Sequence, residues 1–154
     1  MKKQYLFLFL LSMILVASTI SLAQDKGFGL GVILGEPTGL SGKYWLNEKT
    51  AIDGAVAWSF YHEASFHLHG DYLFHNKEAF ETEEPFALYY GVGGRIKATE
   101  NSDTQVGIRG VVGIDYLARS VPFDIFLEIA PILDLTPTSD LVFNAGLGAR
   151  FFFE

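Results

Sequence analysis

The chain contains no cysteine. That excludes a disulfide framework, and it excludes anchoring through a lipid on an N-terminal cysteine. Stability must therefore come from packing and hydrogen bonds. Beyond residue 24 no apolar run approaches the roughly 18 residues that a membrane-spanning helix needs. Basic residues are scarce, 11 Lys and Arg against 18 Asp and Glu, for a net charge of −7. Such an acidic chain is poorly suited to nucleic acid. Helical periodicity, domain linkers and low-complexity tracts are also missing after the first residues. No G-x-S-x-G is present, and no glycine-rich turn leads into a helical pattern, so the common signatures of acyl transfer and phosphate binding are absent.

Against these absences stand a high hydrophobic fraction of 49%, an aromatic fraction of 15% and 16 glycines. The N-terminus accounts for part of the first. Met1-Lys2-Lys3 is a basic n-region, Leu6 to Val16 is apolar, and Ser21-Leu22-Ala23 is a small-residue cleavage site. This predicts a secretory signal peptide over residues 1–23 and a mature domain over 24–154. The mature chain is more acidic still, because Lys2 and Lys3 leave with the leader.

Turn residues divide the mature chain into eight alternating segments: 26–35, 38–46, 51–60, 65–75, 85–98, 105–117, 122–135 and 140–153. Period-two alternation predicts strands throughout, joined as hairpins. In the tight break Glu36-Pro37-Thr38-Gly39, Pro37 fixes φ and Gly39 allows positive φ.

Sorting by parity separates two faces. One carries Phe28, Leu30, Val32, Leu40, Tyr44, Ile52, Val56, Trp58, Leu68, Tyr72, Tyr90, Val92, Ile108, Ile114, Ile125, Leu127, Leu147 and Phe153, and no charge. The other carries Lys43, Asp53, His67, His69, Asp71, Arg95, Lys97, Arg109, Asp115, Asp124, Glu128 and Arg150, interleaved with glycines such as Gly31, Gly93, Gly113 and Gly148. Its cations and carboxylates balance, which places the acidic excess in the loops. A soluble barrel would turn the apolar face inward and the polar face to water. A transmembrane barrel does the reverse. The second reading is preferred, because a solvated face is rich in Lys, Glu and Thr, whereas glycine and balanced charge suit a narrow, filled lumen. Aromatics near segment ends, among them Trp45, Trp58, Phe74, Phe86, Tyr116 and Phe153, suit the membrane interface. The expected architecture is an all-β, eight-stranded antiparallel up-and-down transmembrane β-barrel.

The stretches Gly35-Glu36-Pro37-Thr38-Gly39-Leu40-Ser41-Gly42-Lys43-Tyr44-Trp45 and Asp124-Ile125-Phe126-Leu127-Glu128-Ile129-Ala130-Pro131 resemble an uncharacterised family of small eight-stranded outer-membrane barrels of bacteria with two membranes. The resemblance implies fold and location and no activity. It implies contact with outer-membrane lipid and lipopolysaccharide, and handling by the barrel-assembly machinery. The C-terminal alternation through Phe151 and Phe153 is similar to the assembly signal of such barrels, although Glu154 follows the last aromatic. With both termini in the periplasm, the longest connection, 76–84, falls on the periplasmic side, where turns are usually short.

Three groups could carry chemistry. His67-x-His69-x-Asp71 offers metal-capable side chains, but positions i and i+4 of a strand lie about 13 Å apart, while zinc needs ligands converging to about 2 Å. These residues are read as part of the lumen network. His62, Glu63 and Ser65 lie at one loop and hold the types needed for acyl transfer; a solvated turn is the simpler account. Asp124 and Glu128 are too far apart along a strand to act as a glycosidase pair and are read as partners of Arg95, Arg109 or Arg150. The sequence therefore predicts a monomeric, non-enzymatic barrel that plugs its own lumen and needs no metal or cofactor. An outer-membrane enzyme acting on lipid and a soluble periplasmic barrel holding a hydrophobic ligand are the alternatives.

Overall fold

The computed structural model describes residues 26–59 and 64–153. The leader, loop residues Phe60, Tyr61, His62 and Glu63, and Glu154 lie outside the described residues. Eight strands follow in order: β1 Phe28–Gly35, β2 Gly39–Trp45, β3 Thr50–Ser59, β4 Ser65–Asn76, β5 Phe86–Thr99, β6 Gln105–Leu117, β7 Phe123–Thr136 and β8 Asp140–Phe153. Their bounds follow the segments read from alternation, and β6 and β8 coincide with them. No helix long and apolar enough to cross a membrane occurs among the described residues.

Each strand pairs antiparallel with the next, and β1 pairs with β8, so the sheet closes into an up-and-down barrel. The closing seam runs from Phe28 opposite Phe153 to Gly35 opposite Gly146. Closure is staggered. A path of paired residues from Leu30 passes through Gly42, Gly54, Gly70, Gly94, Ile108 and Leu133 to Leu141. It meets β8 well away from Phe151, which is Leu30's own partner across the seam. This offset is the shear that tilts the strands of a barrel by about 35–45°.

The strands point their apolar residues outward. Leu34 is 59% exposed, Val92 57%, Leu127 54% and Phe143 64%. Alternate residues turn into the lumen and are buried, as the burial pattern of β4 shows along its length. The outward face is not uniformly rough: Gly42, Gly54, Gly70 and Gly94 lie side by side across β2 to β5.

Connections 46–49, 77–85 and 118–122 share one end with Phe28 and Phe153; 36–38, 100–104 and 137–139 lie at the other. The longest connection is on the terminal end, as the sequence implied. Asn47 shapes the first turn, its Oδ1 accepting from the backbone N–H of Lys49 at 2.9 Å and of Thr50 at 3.0 Å, the usual use of Asn in a turn. In the Pro37 turn the positive-φ residue is Gly35, at φ 133°, and not Gly39. Gly39 is required for a different reason: a Cβ there would lie 2.2 Å from the Val56 carbonyl oxygen.

Candidate functional site

The lumen is where the chain concentrates its polar chemistry. Lys43, Arg109, Arg150, Asp115 and Asp124 are all 0% exposed. A buried charge must be paired and hydrogen-bonded to be tolerated, and the staggered strands supply partners in three tiers.

Nearest the terminal end, Lys43 of β2 donates from Nζ to Asp115 Oδ2 of β6 at 2.5 Å. His75 Nε2 of β4 lies 3.1 Å from the same oxygen. Arg150 of β8 donates from Nε to Asp124 Oδ1 and from Nη1 to Asp53 Oδ2, both at 3.2 Å. In the middle tier Arg109 of β6 donates from Nε to Asp71 Oδ2 at 2.7 Å and from Nη2 to Glu128 Oε1 at 2.5 Å. The Tyr89 hydroxyl donates to the other oxygen of Glu128 at 2.9 Å. Towards the far mouth Arg95 of β5 grips Asp134 of β7 with Nε at 3.1 Å and Nη2 at 2.5 Å. That two-point grip holds the guanidinium plane in one orientation.

Apolar side chains fill the space between tiers. Ile33, Leu73, Tyr89, Val111 and Phe126 pack with Ala55 and Ala130 in the middle. Trp45, Leu117 and Phe152 pack with Ala51 and Ala87 at the terminal end. The two layers meet the charges directly. Lys43 Nζ sits 4.4 Å from the Trp45 ring centre, and the Arg150 guanidinium 3.9 Å from that of Phe126; both are cation–π contacts. Lumen glycines make this filling possible. A Cβ on Gly113 would lie 2.3 Å from Tyr89, and one on Gly148 would lie 2.2 Å from Phe126.

Several expectations change here. Lys97 does not join the ion-pair network: it is half-buried at the far mouth, with no carboxylate partner among the described residues. Asp134, absent from the expected set, does join, although it shares the parity of Asp124 and Glu128. Among the described residues, buried carboxylates (Asp53, Asp71, Asp115, Asp124, Glu128, Asp134) therefore outnumber buried ammonium and guanidinium groups (Lys43, Arg95, Arg109, Arg150), and the expected balance of signs does not hold. Asp53 and Asp71 even face each other in register across β3 and β4. Each keeps one oxygen, Oδ1, without a hydrogen-bond partner. Trp45 is not part of the outer aromatic band; it is 3% exposed, inside the barrel. The outer band does hold Trp58 and Phe153, each 52% exposed.

His67, His69 and Asp71 all face the lumen but do not surround a common point. The imidazoles contact one another, His67 Nε2 to His69 Nδ1 at 3.3 Å, while Asp71 turns to Arg109. His62 and Glu63 lie outside the described residues. The arrangement that remains is an internal brace: fixed charges joining facing strands, sealed between apolar layers.

No protein-family profile matches the chain, and no curated protein matches it. Among solved structures it is similar to the N-terminal β-barrel domain of Pseudomonas aeruginosa OprF. The TM-score is 0.55 at 16% sequence identity, over 82% of this chain and 95% of that one. At that identity the likeness carries the fold alone, a closed β-barrel.

Proposed function

We propose that this chain is an integral outer-membrane barrel with a structural or surface-contact role, without catalytic activity and without an open pore. One observation carries the reading: the faces are inverted relative to a soluble protein. Leucines, valines and aromatics cover the outside, and charged residues are sealed within. In water the exposed apolar belt would be a severe aggregation liability; in a bilayer it is the required surface. The soluble, ligand-holding alternative needs that apolar face as its core, and the fold places it outside.

The filled interior supports the absence of conduction, since buried guanidinium groups and aromatic rings pack together in the lumen. On this reading the partners are outer-membrane lipid and lipopolysaccharide around the belt. During biogenesis the assembly machinery reads the C-terminal strand through Phe151 and Phe153. The barrel acts as a monomer, since nothing in the pairing of its strands calls for a second chain.

Membrane fractionation combined with gel mobility before and after boiling tests the reading. Recovery in the outer membrane with a heat-dependent shift is expected of a closed barrel. Recovery in the soluble fraction without a shift would refute it. Planar-bilayer recording is expected to show no steady conductance. A lipid-modifying activity that disappears in His62→Ala, with the mobility shift intact, would replace the structural reading with an enzymatic one.

A further inference from the structure

The far mouth of the barrel holds a cavity of about 270 Å³, which shares only Arg95 with the ion pairs of the internal brace. Its walls come from facing parts of the barrel: Glu36 on the β1–β2 turn, Trp58 of β3, His67 of β4, Arg95 and Lys97 of β5, and Asn144 of β8. The polar groups are set as though for something outside the chain. Asn144 is 5% exposed, yet its amide has no hydrogen-bond partner among the described residues. Its oxygen and nitrogen are not sealed from the cavity, so a ligand or solvent can bond them there. Lys97 has no carboxylate partner among the described residues, unlike Lys43, Arg95, Arg109 and Arg150. Arg95, which lines the cavity, spends Nε and Nη2 on Asp134, which leaves Nη1 without a hydrogen-bond partner among the described residues.

We propose that this mouth is a binding site for a phosphate monoester carried on a small polar body, of about the size of one sugar. Lys97 supplies a positive charge that makes no ion pair among the described residues, Arg95 Nη1 a donor, and Asn144 a donor and an acceptor for neighbouring hydroxyls. The volume sits just below the roughly 300–1,000 Å³ of pockets for larger ligands. Asp134 cancels the charge of Arg95 and Glu36 stands at the rim, so the site has room and charge for one phosphate group and disfavours polyphosphates. The inference goes beyond the structural role proposed above. It rests on the closed barrel, not on which side of a membrane the mouth faces. The phosphate can come from a free sugar phosphate or from the phosphorylated sugars of a lipid headgroup.

The test uses the full mature chain folded in detergent micelles, with folding of every variant verified by the heat-dependent mobility shift. Glucose 1-phosphate is titrated in by calorimetry, with glucose as the uncharged control. A second arm adds lipid A to the micelles, in phosphorylated or dephosphorylated form, and follows backbone amide signals of residues 95–97 and 144. Saturable binding of glucose 1-phosphate, weakened at least about tenfold in Lys97→Gln, the worth of one charge-assisted hydrogen bond, and weakened again in Asn144→Ala, supports the site with a free ligand. Shifts that need the lipid A phosphates support it with the headgroup as the source. No response in either arm, or a response equal in folded Lys97→Gln and Asn144→Ala, overturns it. Because folding is read separately, failure of this site leaves the barrel reading standing.

Discussion

Replacing Arg109 with methionine removes the centre of the middle tier while keeping a side chain of similar length. Two hydrogen bonds disappear, to Asp71 at 2.7 Å and to Glu128 at 2.5 Å. Glu128 retains the Tyr89 hydroxyl. Among the described residues Asp71 retains only His69, at the outer limit of contact, 4.0 Å. Each lost bond to a charged group is worth about 1.5–3 kcal/mol, and opening a buried pair from one side costs about 3–5 kcal/mol because the partner charge is stranded. We expect Arg109→Met to lower stability by about 3–5 kcal/mol, a large share of the roughly 5–15 kcal/mol that holds most folds. The triple variant Arg109→Met, Asp71→Asn, Glu128→Gln strands no charge and should recover more than half of that loss. The assay is urea unfolding in phospholipid vesicles, followed by tryptophan fluorescence and by the mobility shift, with the denaturant slope checked for constancy. Glu81→Gln, on the solvated 77–85 connection, serves as the reference and should change little. A loss in Arg109→Met no larger than in Glu81→Gln, or a triple variant worse than the single, would refute the internal-brace account.

Other expectations are independent of that tier. Because carboxylates outnumber buried cations, Asp53→Asn should cost far less than Arg150→Met, whose guanidinium serves Asp53 and Asp124; equal urea midpoints would contradict this. Gly113→Ala should displace Tyr89 and destabilise by about 1–3 kcal/mol, whereas Gly70→Ala, whose Cβ would meet nothing nearer than 3.8 Å, should be sterically silent. Leu127→Arg should cost about 2–4 kcal/mol if that residue faces mid-bilayer, and a near-zero change would place it elsewhere. Brominated lipid should quench Trp58 in a Trp45→Phe variant and leave Trp45 nearly untouched in a Trp58→Phe variant.

Strand alternation made most of the architecture legible. A one-residue slip in a strand reverses its faces, so the parity of Lys43, Asp53, Arg109 and Arg150 fixed which face each segment turned inward. That Asp124 and Glu128 pair with arginines was legible, and they do so with Arg150 and Arg109, but which charges pair was not. That Arg150 would reach both Asp53 and Asp124, 97 and 26 positions away, depends on shear, which no single segment encodes. Trp45 was misplaced because position near a strand end suggests the membrane interface, while its odd parity, shared with Lys43, pointed inward; parity was the better signal. Ile33, Leu73, Tyr89 and Phe126 were overlooked on the polar face for a related reason. Charge draws the eye to that face, but a lumen this narrow admits little water and must also be filled with bulk. Asp134 carried a readable signal, its parity, whereas the isolation of Lys97 became visible only once the far mouth was assembled.

The seam between β1 and β8 has a consequence for how such a chain must be made. Its hydrogen bonds join the first strand of the domain to the last, so no partial length of the chain is a smaller version of the whole. Until β8 emerges, β1 is an open edge, and each added strand merely moves the other edge along. Open edges are templates for wrong pairing, and contacts so distant in sequence form slowly. A chain that still lacks β8 therefore gains little from folding early, and closure of the barrel has to wait for the last strand.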